Sequence, residues 1–402
     1  MPDIRTRLAG PLVEGPWRAL PVLGVTQVLA WGALFYPPVL TVPLIAAERG
    51  WSLSFAMAGF SAALLAGGAV APLVGRVIDR RGGHVAMTAG SLLGALGLVA
   101  LAVAQHPAAY LAAWTVVGVA MAASLYDPAF ATLGRLFGAA ARRPITLLTF
   151  VGGLASTVSW PATRALCDGL GWQGCLIVYA ALLAGVAAPL HAFALPRQPA
   201  APAPAPARAA AAAPAAVYAP SGRPFLLVMA GFAAYAFVPS ALSAHLIAIL
   251  QRGGIDAATA VLIGMLFGPC QVLARVTEFA FGAREHPLSL ARFAIALMVA
   301  AFVLIGTAGV SVAAAAAFYV MFGASNGLVT IARGTVPLAL FGPAGIGTVI
   351  GRLAAPWLAM QAAAPLVVAV AAERGSDMAA LTLVAVFAAV ALACFVLVRR
   401  PV

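Results

Sequence analysis

Four ionisable side chains stand where the sequence around them is almost wholly apolar, and they set the chemistry to be explained. Arg275 lies inside a long apolar run with Glu278 three residues on, and Asp127 sits between Tyr126 and Pro128 inside another. His245 lies in a third. A guanidinium in such a place can hold a carboxylate through two parallel hydrogen bonds, or it can pair with Glu278 one helical turn away. Asp127 can carry a proton, with burial favouring its neutral form, or it can serve as a partner for Arg80 or Arg81. His245 can carry a proton or hydrogen-bond a neighbouring helix. Asn326, Gln27, Tyr36 and Tyr235 are the uncharged polar groups at similar depth, each a ligand for a small molecule or a packing contact. No cluster of His, Cys, Asp or Glu has the spacing of a metal site or a nucleophile, so neither an enzyme nor a cofactor is expected. A proton is the coupling ion to consider.

The second group of residues is Gly75 to His84, Gly-Arg-Val-Ile-Asp-Arg-Arg-Gly-Gly-His, which falls between two apolar stretches of membrane length. Three arginines and an aspartate at that density must lie at a water interface in a tight turn.

The elements that position these residues follow from composition. The chain is 63% hydrophobic and 8% charged over 402 residues, which excludes a soluble protein. Its net charge of +12 is carried by 23 arginines with no lysine. In a membrane chain this reads as arginine kept on the cytoplasmic side, not as a nucleic-acid surface. The Arg, Ala, Gly and Pro bias points to a bacterial chain. Cys167 and Cys175 flank an outer turn, and with Cys270 and Cys394 they are read as free thiols.

Apolar runs long enough to cross a bilayer core of about 30 Å number twelve: 19–47, 50–75, two runs parted at 105–107, 145–163, 172–195, 225–251, 257–281, two runs within 293–332, 349–372 and 379–398. Asp127 falls inside the fourth, taken as one helix from 108 to 136. Arg333, Arg352 and Arg164 are read as lying near helix ends, reaching the interface. Between the sixth and seventh runs, residues 196–222 hold seven prolines and no apolar period, the mark of a linker. The expected domains are therefore 1–195, a six-helix bundle; 196–222, a cytoplasmic linker; and 223–402, a second six-helix bundle. Sixteen arginines fall on the side of both termini and the linker, and three on the other. Both termini are expected in the cytoplasm of a multi-pass inner-membrane protein.

The halves match each other. Leu44-Ile45-Ala46 with Arg49-Gly50 has its counterpart in Leu246-Ile247-Ala248 with Arg252-Gly253, and Val74–Asp79 has one in Leu273–Glu278. Six spans, a linker, six spans, an internal duplication and a Gly-x-x-x-Asp-Arg-x-Gly turn together resemble the major facilitator superfamily of transporters, an all-α membrane fold of twelve helices in two six-helix pseudo-repeats. The resemblance implies a gating loop made by Gly75, Asp79, Arg80 and Gly82. In it Asp79 caps a neighbouring helix and Arg80 holds the loop at the cytoplasmic face. The turn departs from the usual pattern at Gly83 and His84, where two basic residues are common.

Glu14-Gly15-Pro16-Trp17 and Glu48-Arg49-Gly50-Trp51-Ser52 resemble the monocarboxylate and oxalate–formate branch. That branch holds its substrate carboxylate on an arginine of helix eight, the place of Arg275. The expected function is a monomeric secondary transporter moving a small organic anion, a monocarboxylate among them, by alternating access with protons. The alternative is efflux of lipophilic or cationic compounds with Asp127 as the coupling acid. A more distant one is a membrane receptor or enzyme. The expected partners are a small-molecule substrate and the lipid bilayer.

Overall fold

The computed structural model describes residues 15–197, 222–282 and 285–399. Most of the predicted linker lies outside the described residues. The described residues form helices and no strand. Ten helical runs have the length and hydropathy of membrane spans. The longest, Pro107–Ala194, turns sharply at Gly138 (φ 56°, ψ −130°) and at Gly171 (φ 71°, ψ 171°), so it contains three spans. Among the described residues there are thus twelve: α1 (Gly15–Arg49), α2 (Leu53–Arg81), α3 (Gly83–Val103), α4 (107–137), α5 (142–170), α6 (172–194), α7 (Arg223–Arg252), α8 (Ala257–Phe281), α9 (Pro287–Ala308), α10 (Val312–Phe341), α11 (Ile346–Arg374) and α12 (Asp377–Leu397).

Local chemistry ends these helices where the sequence changes character. Ser52 accepts the Phe55 N–H at 3.2 Å to start α2, and Ser311 and Ser376 do the same for α10 and α12. Asp256 accepts the Thr259 N–H at 3.0 Å to start α8, and its hydrogen bonds to Thr259 hold its carboxyl below the usual range. Gly82, at φ 93°, takes the positive-φ backbone that a side chain would strain and so stops α2 within one residue of α3. The outward faces are apolar, with Phe281 82% and Leu366 70% exposed, as hydrocarbon-facing surface requires.

Four spans are interrupted in mid-course. Residues Trp31–Phe35 of α1 are π-helical and the helix restarts at Pro38. The single fourth helix read from sequence is two, Pro107–Ser124 and Tyr126–Phe137, joined through extended Leu125. α5 breaks at Leu154, and α8 between Gly264 and Phe267. Each break frees main-chain groups, which a membrane tolerates only where the chain is buried in protein or lines a cavity.

Glycines carry the closest packing of the two halves. A Cβ on Gly75 would fall well inside contact distance of the Gly347 carbonyl, and one on Gly68 would lie 3.0 Å from that of Ala355. α2 and α11 therefore run backbone against backbone. Within the second half, Gly323 and Gly327 let α10 approach Phe267 and Gln271 of α8 as closely.

Candidate functional site: a buried arginine where the two halves meet

Arg275 is 3% exposed. Its Nη1 donates to the Thr149 carbonyl of α5 at 2.7 Å and its Nη2 to Gln271 Oε1 at 3.0 Å, with a longer contact from Nε to the Gly327 carbonyl at 3.4 Å. The Tyr126 hydroxyl lies beside the guanidinium. Gly152 and Gly153 of α5 make the room, since a Cβ on Gly153 would meet Arg275 Nη1 and one on Gly152 would meet the Tyr126 hydroxyl. The oxygens around this cation are two main-chain carbonyls, an amide and a phenol. Among the described residues none is a carboxylate.

The expected pairing of Arg275 with Glu278 is not formed. Glu278 Oε1 instead accepts Arg142 Nη2 of α5 at 2.7 Å, and Oε2 accepts the Thr146 hydroxyl at 3.4 Å. Arg142 also donates to the Gly282 and Glu285 carbonyls at the end of α8. Both side chains face α5 about one turn apart, Arg275 reaching Thr149 and Glu278 reaching Arg142 and Thr146, and each finds its partners there instead of in the other.

Asp127 is likewise not the partner of Arg80 or Arg81, both of which are exposed. Both of its oxygens accept from Arg333 Nη2, at 2.6 and 2.8 Å. Arg333 does not reach an interface: its side chain is 14% exposed and its guanidinium lies 3.8 Å over the Trp357 ring. The apolar run ends at Ala332, just before Arg333, whereas α10 continues nine residues to Phe341. Trp357, Phe232 and Ile350 line a small pocket beside this pair.

Asp79 reaches the first turn of α11. It accepts the Gly347 N–H at 2.8 Å, the Thr348 N–H at 2.6 Å and the Thr348 hydroxyl at 2.7 Å. A carboxylate on the exposed N–H groups of a helix start is favoured by both hydrogen bonding and the helix dipole. Arg80 makes no such contact; Arg135 of α4 donates to the Ile78 carbonyl beside Asp79.

Asp79 on α2 and Glu278 on α8 are equivalent in the duplication, and each engages the start of the fifth helix of the opposite half. Arg76 and Arg275 are equivalent too, but Arg76 is exposed and Arg275 buried.

The remaining polar candidates divide. Gln27, fully buried, donates through Nε2 to the Ser124 carbonyl at 2.7 Å, at the break in α4, and accepts Trp31 Nε1 at 3.1 Å. Tyr36 lies near Arg275, its hydroxyl facing Ser156. Asn326 is half-buried on α10, one residue before the Gly327 carbonyl that faces Arg275. Tyr235 is buried against Trp357 and shares a hydrogen bond with Ser325 at 2.9 Å. His245 Nε2 lies 2.8 Å from the Pro365 carbonyl of α11. These last two contacts stay within the second half and do not reach Arg275. Gln271, Tyr126 and Trp31 belong at the site and were not singled out. The one signal for Tyr126 was its place beside Asp127 inside an apolar run.

Comparison with known proteins agrees with this geometry. The family model described as Major Facilitator Superfamily matches residues 23–365. No curated protein matches. Many solved structures share the fold, among them the following three. The human organic anion transporter MFSD10 (TETRAN) has a TM-score of 0.75 at 19% identity, over 95% of this chain and 100% of that one. The transporter FucP in the outward conformation has 0.71 at 13%, over 95% and 99%. The proton:xylose symporter XylE has 0.72 at 12%, over 95% and 96%. Family model, twelve spans and duplicated halves lead to one conclusion: the chain belongs to the major facilitator superfamily, and it is a transporter, not an enzyme.

Proposed function

We propose that this transporter carries a small organic anion, with a monocarboxylate as the simplest case, by rocking its two halves about Arg275 as a monomer driven by protons. The observation that supports the anion is the environment of that arginine. A guanidinium 3% exposed, whose described partners are all neutral oxygens, is short of negative charge. Burying a cation without a countercharge is costly, and an arriving carboxylate supplies one. The likeness of the Glu14–Trp17 and Glu48–Ser52 stretches to the monocarboxylate branch supports the same reading. Efflux of cations has less support, because Asp127, the acid it would need, is already held by Arg333.

The arginine-rich face is taken as cytoplasmic, in a bacterial inner membrane with both termini inside. Asp79 to α11 and Glu278 to α5 then join the halves at their cytoplasmic ends, while Asp127 to Arg333 joins them deeper. This arrangement is read as the outward-facing state.

The test is uptake of labelled carboxylates into proteoliposomes, with and without an inward proton gradient. A carboxylate should accumulate with the gradient, and Arg275→Lys should abolish uptake, since an ammonium cannot reproduce the planar two-point contact. Uptake by Arg275→Lys at the wild-type rate would refute the role of the arginine. Gradient-independent uptake would refute proton coupling alone.

A further inference from the structure

The anion reading leaves unused an aromatic cluster that adjoins Arg275. The Trp31 ring lies 4.8 Å from Phe35, 6.0 Å from Tyr36 and 5.1 Å from Tyr126. Tyr126 links the two features. Its hydroxyl is beside the guanidinium, while its ring packs on Trp31 and stacks on Phe130 at 5.1 Å and 9°. Tyr126 is buried, and Trp31, Phe35 and Tyr36 are half-buried.

Their placement follows from the broken helix. The π-helical stretch Trp31–Phe35 and the break before Pro38 hold three aromatic residues, 31, 35 and 36, on one stretch of α1 beside the break in α4. Gln27 then fixes the cluster. It accepts the single polar hydrogen of Trp31 while donating to the Ser124 carbonyl. With its N–H engaged, the indole has only its π surface to offer a ligand. Burying that much aromatic surface at a charged site is best matched by a ligand that is itself a ring, because ring pairs gain from offset and edge contacts beyond burial alone.

We propose that the cargo is an aromatic carboxylate, its anionic group on Arg275 and its ring against Trp31 and Tyr36. The inference rests on the anion reading above and narrows it to one chemical class. Benzoate fits the two requirements in the smallest form, and butyrate keeps the charge without the ring. Benzyl alcohol keeps the ring without the charge.

Thermal stabilisation of the purified full-length protein by these three probes is the test. Benzoate should half-saturate at about one tenth of the butyrate concentration, as two additional ring contacts imply. Benzyl alcohol should give no saturable shift, and Arg275→Lys should lose the response to both carboxylates. Trp31→Leu should cut the preference for benzoate over butyrate to about threefold, the loss of one of the two ring contacts. Tyr36→Leu is the second variant, read in the same way should Trp31→Leu fail to fold. Equal affinity of the wild type for benzoate and butyrate would overturn the aromatic class and leave the anion reading intact. So would a benzoate preference that stays undiminished in the folded ring variants. Stabilisation of Arg275→Lys equal to wild type, or of wild type by benzyl alcohol as well as by benzoate, would overturn the anion reading and this proposal with it.

Discussion

Replacing Asp127 by asparagine should open the closed side of the molecule, and the size of the effect follows from the geometry. Both carboxylate oxygens take hydrogen bonds from one Arg333 nitrogen, with side chains 22% and 14% exposed. Breaking a buried ion pair by removing one partner costs about 3–5 kcal/mol. This pair retains some solvent, and asparagine still accepts one hydrogen bond, so about 2–3 kcal/mol is the expected loss. Asp127 is on α4 and Arg333 on α10, so the loss falls on the state in which the halves meet. At about 1.4 kcal/mol per decade, the balance should shift some 30- to 150-fold toward the alternative state.

A cysteine at Leu338 reports it, in a background with Cys167, Cys175, Cys270 and Cys394 replaced by serine. Leu338 packs where a Cβ on Gly134 of the other half would lie 3.1 Å from it. Alkylation of Leu338→Cys by an impermeant maleimide should therefore be slow in the parent and at least tenfold faster in Asp127→Asn. Arg333→Gln should behave alike, and the double variant should be less open than the sum of the two. Additive effects, or wild-type labelling in both single variants, would refute the pair as a link between the halves.

Asp79→Asn should speed the same alkylation and slow turnover with little change in expression, because three hydrogen bonds to the start of α11 lose their charge; Thr348→Val, which keeps the main-chain donors, should do so more weakly. Gly75→Ala should fold yet fail to close, since its methyl would collide with the Gly347 carbonyl. Permanently raised Leu338→Cys labelling, with normal size-exclusion behaviour, is the expected result. Arg142→Gln should lower the melting temperature more than Glu278→Gln. The first strands a carboxylate 3% exposed, whereas the second leaves an arginine that still donates to the Gly282 and Glu285 carbonyls.

The span count and the family were legible in the sequence because a bilayer imposes them locally. Each crossing needs its own apolar run and each turn its own polar residues, whatever the neighbours are. The Gly75–His84 turn was legible for the same reason. Its glycines permit a bend that no other residue allows, and its carboxylate reaches a helix start. The duplication also marked Asp79 and Glu278 as equivalents. What stayed hidden was the partner of every interior charge. Arg333 lies 206 residues from Asp127 and Arg142 lies 136 from Glu278. Nothing in a local pattern selects them over Arg80, Arg81 or Arg275. The breaks in α1, α4, α5 and α8 were hidden too, since interrupted helices keep the composition of continuous ones. Arg275 shows the division most plainly. Its sequence equivalent, Arg76, has the same type and register and is exposed on the surface. Tertiary packing decided the difference, because Gly153 of α5 leaves space for a guanidinium there and the Thr149 and Gly327 carbonyls face it.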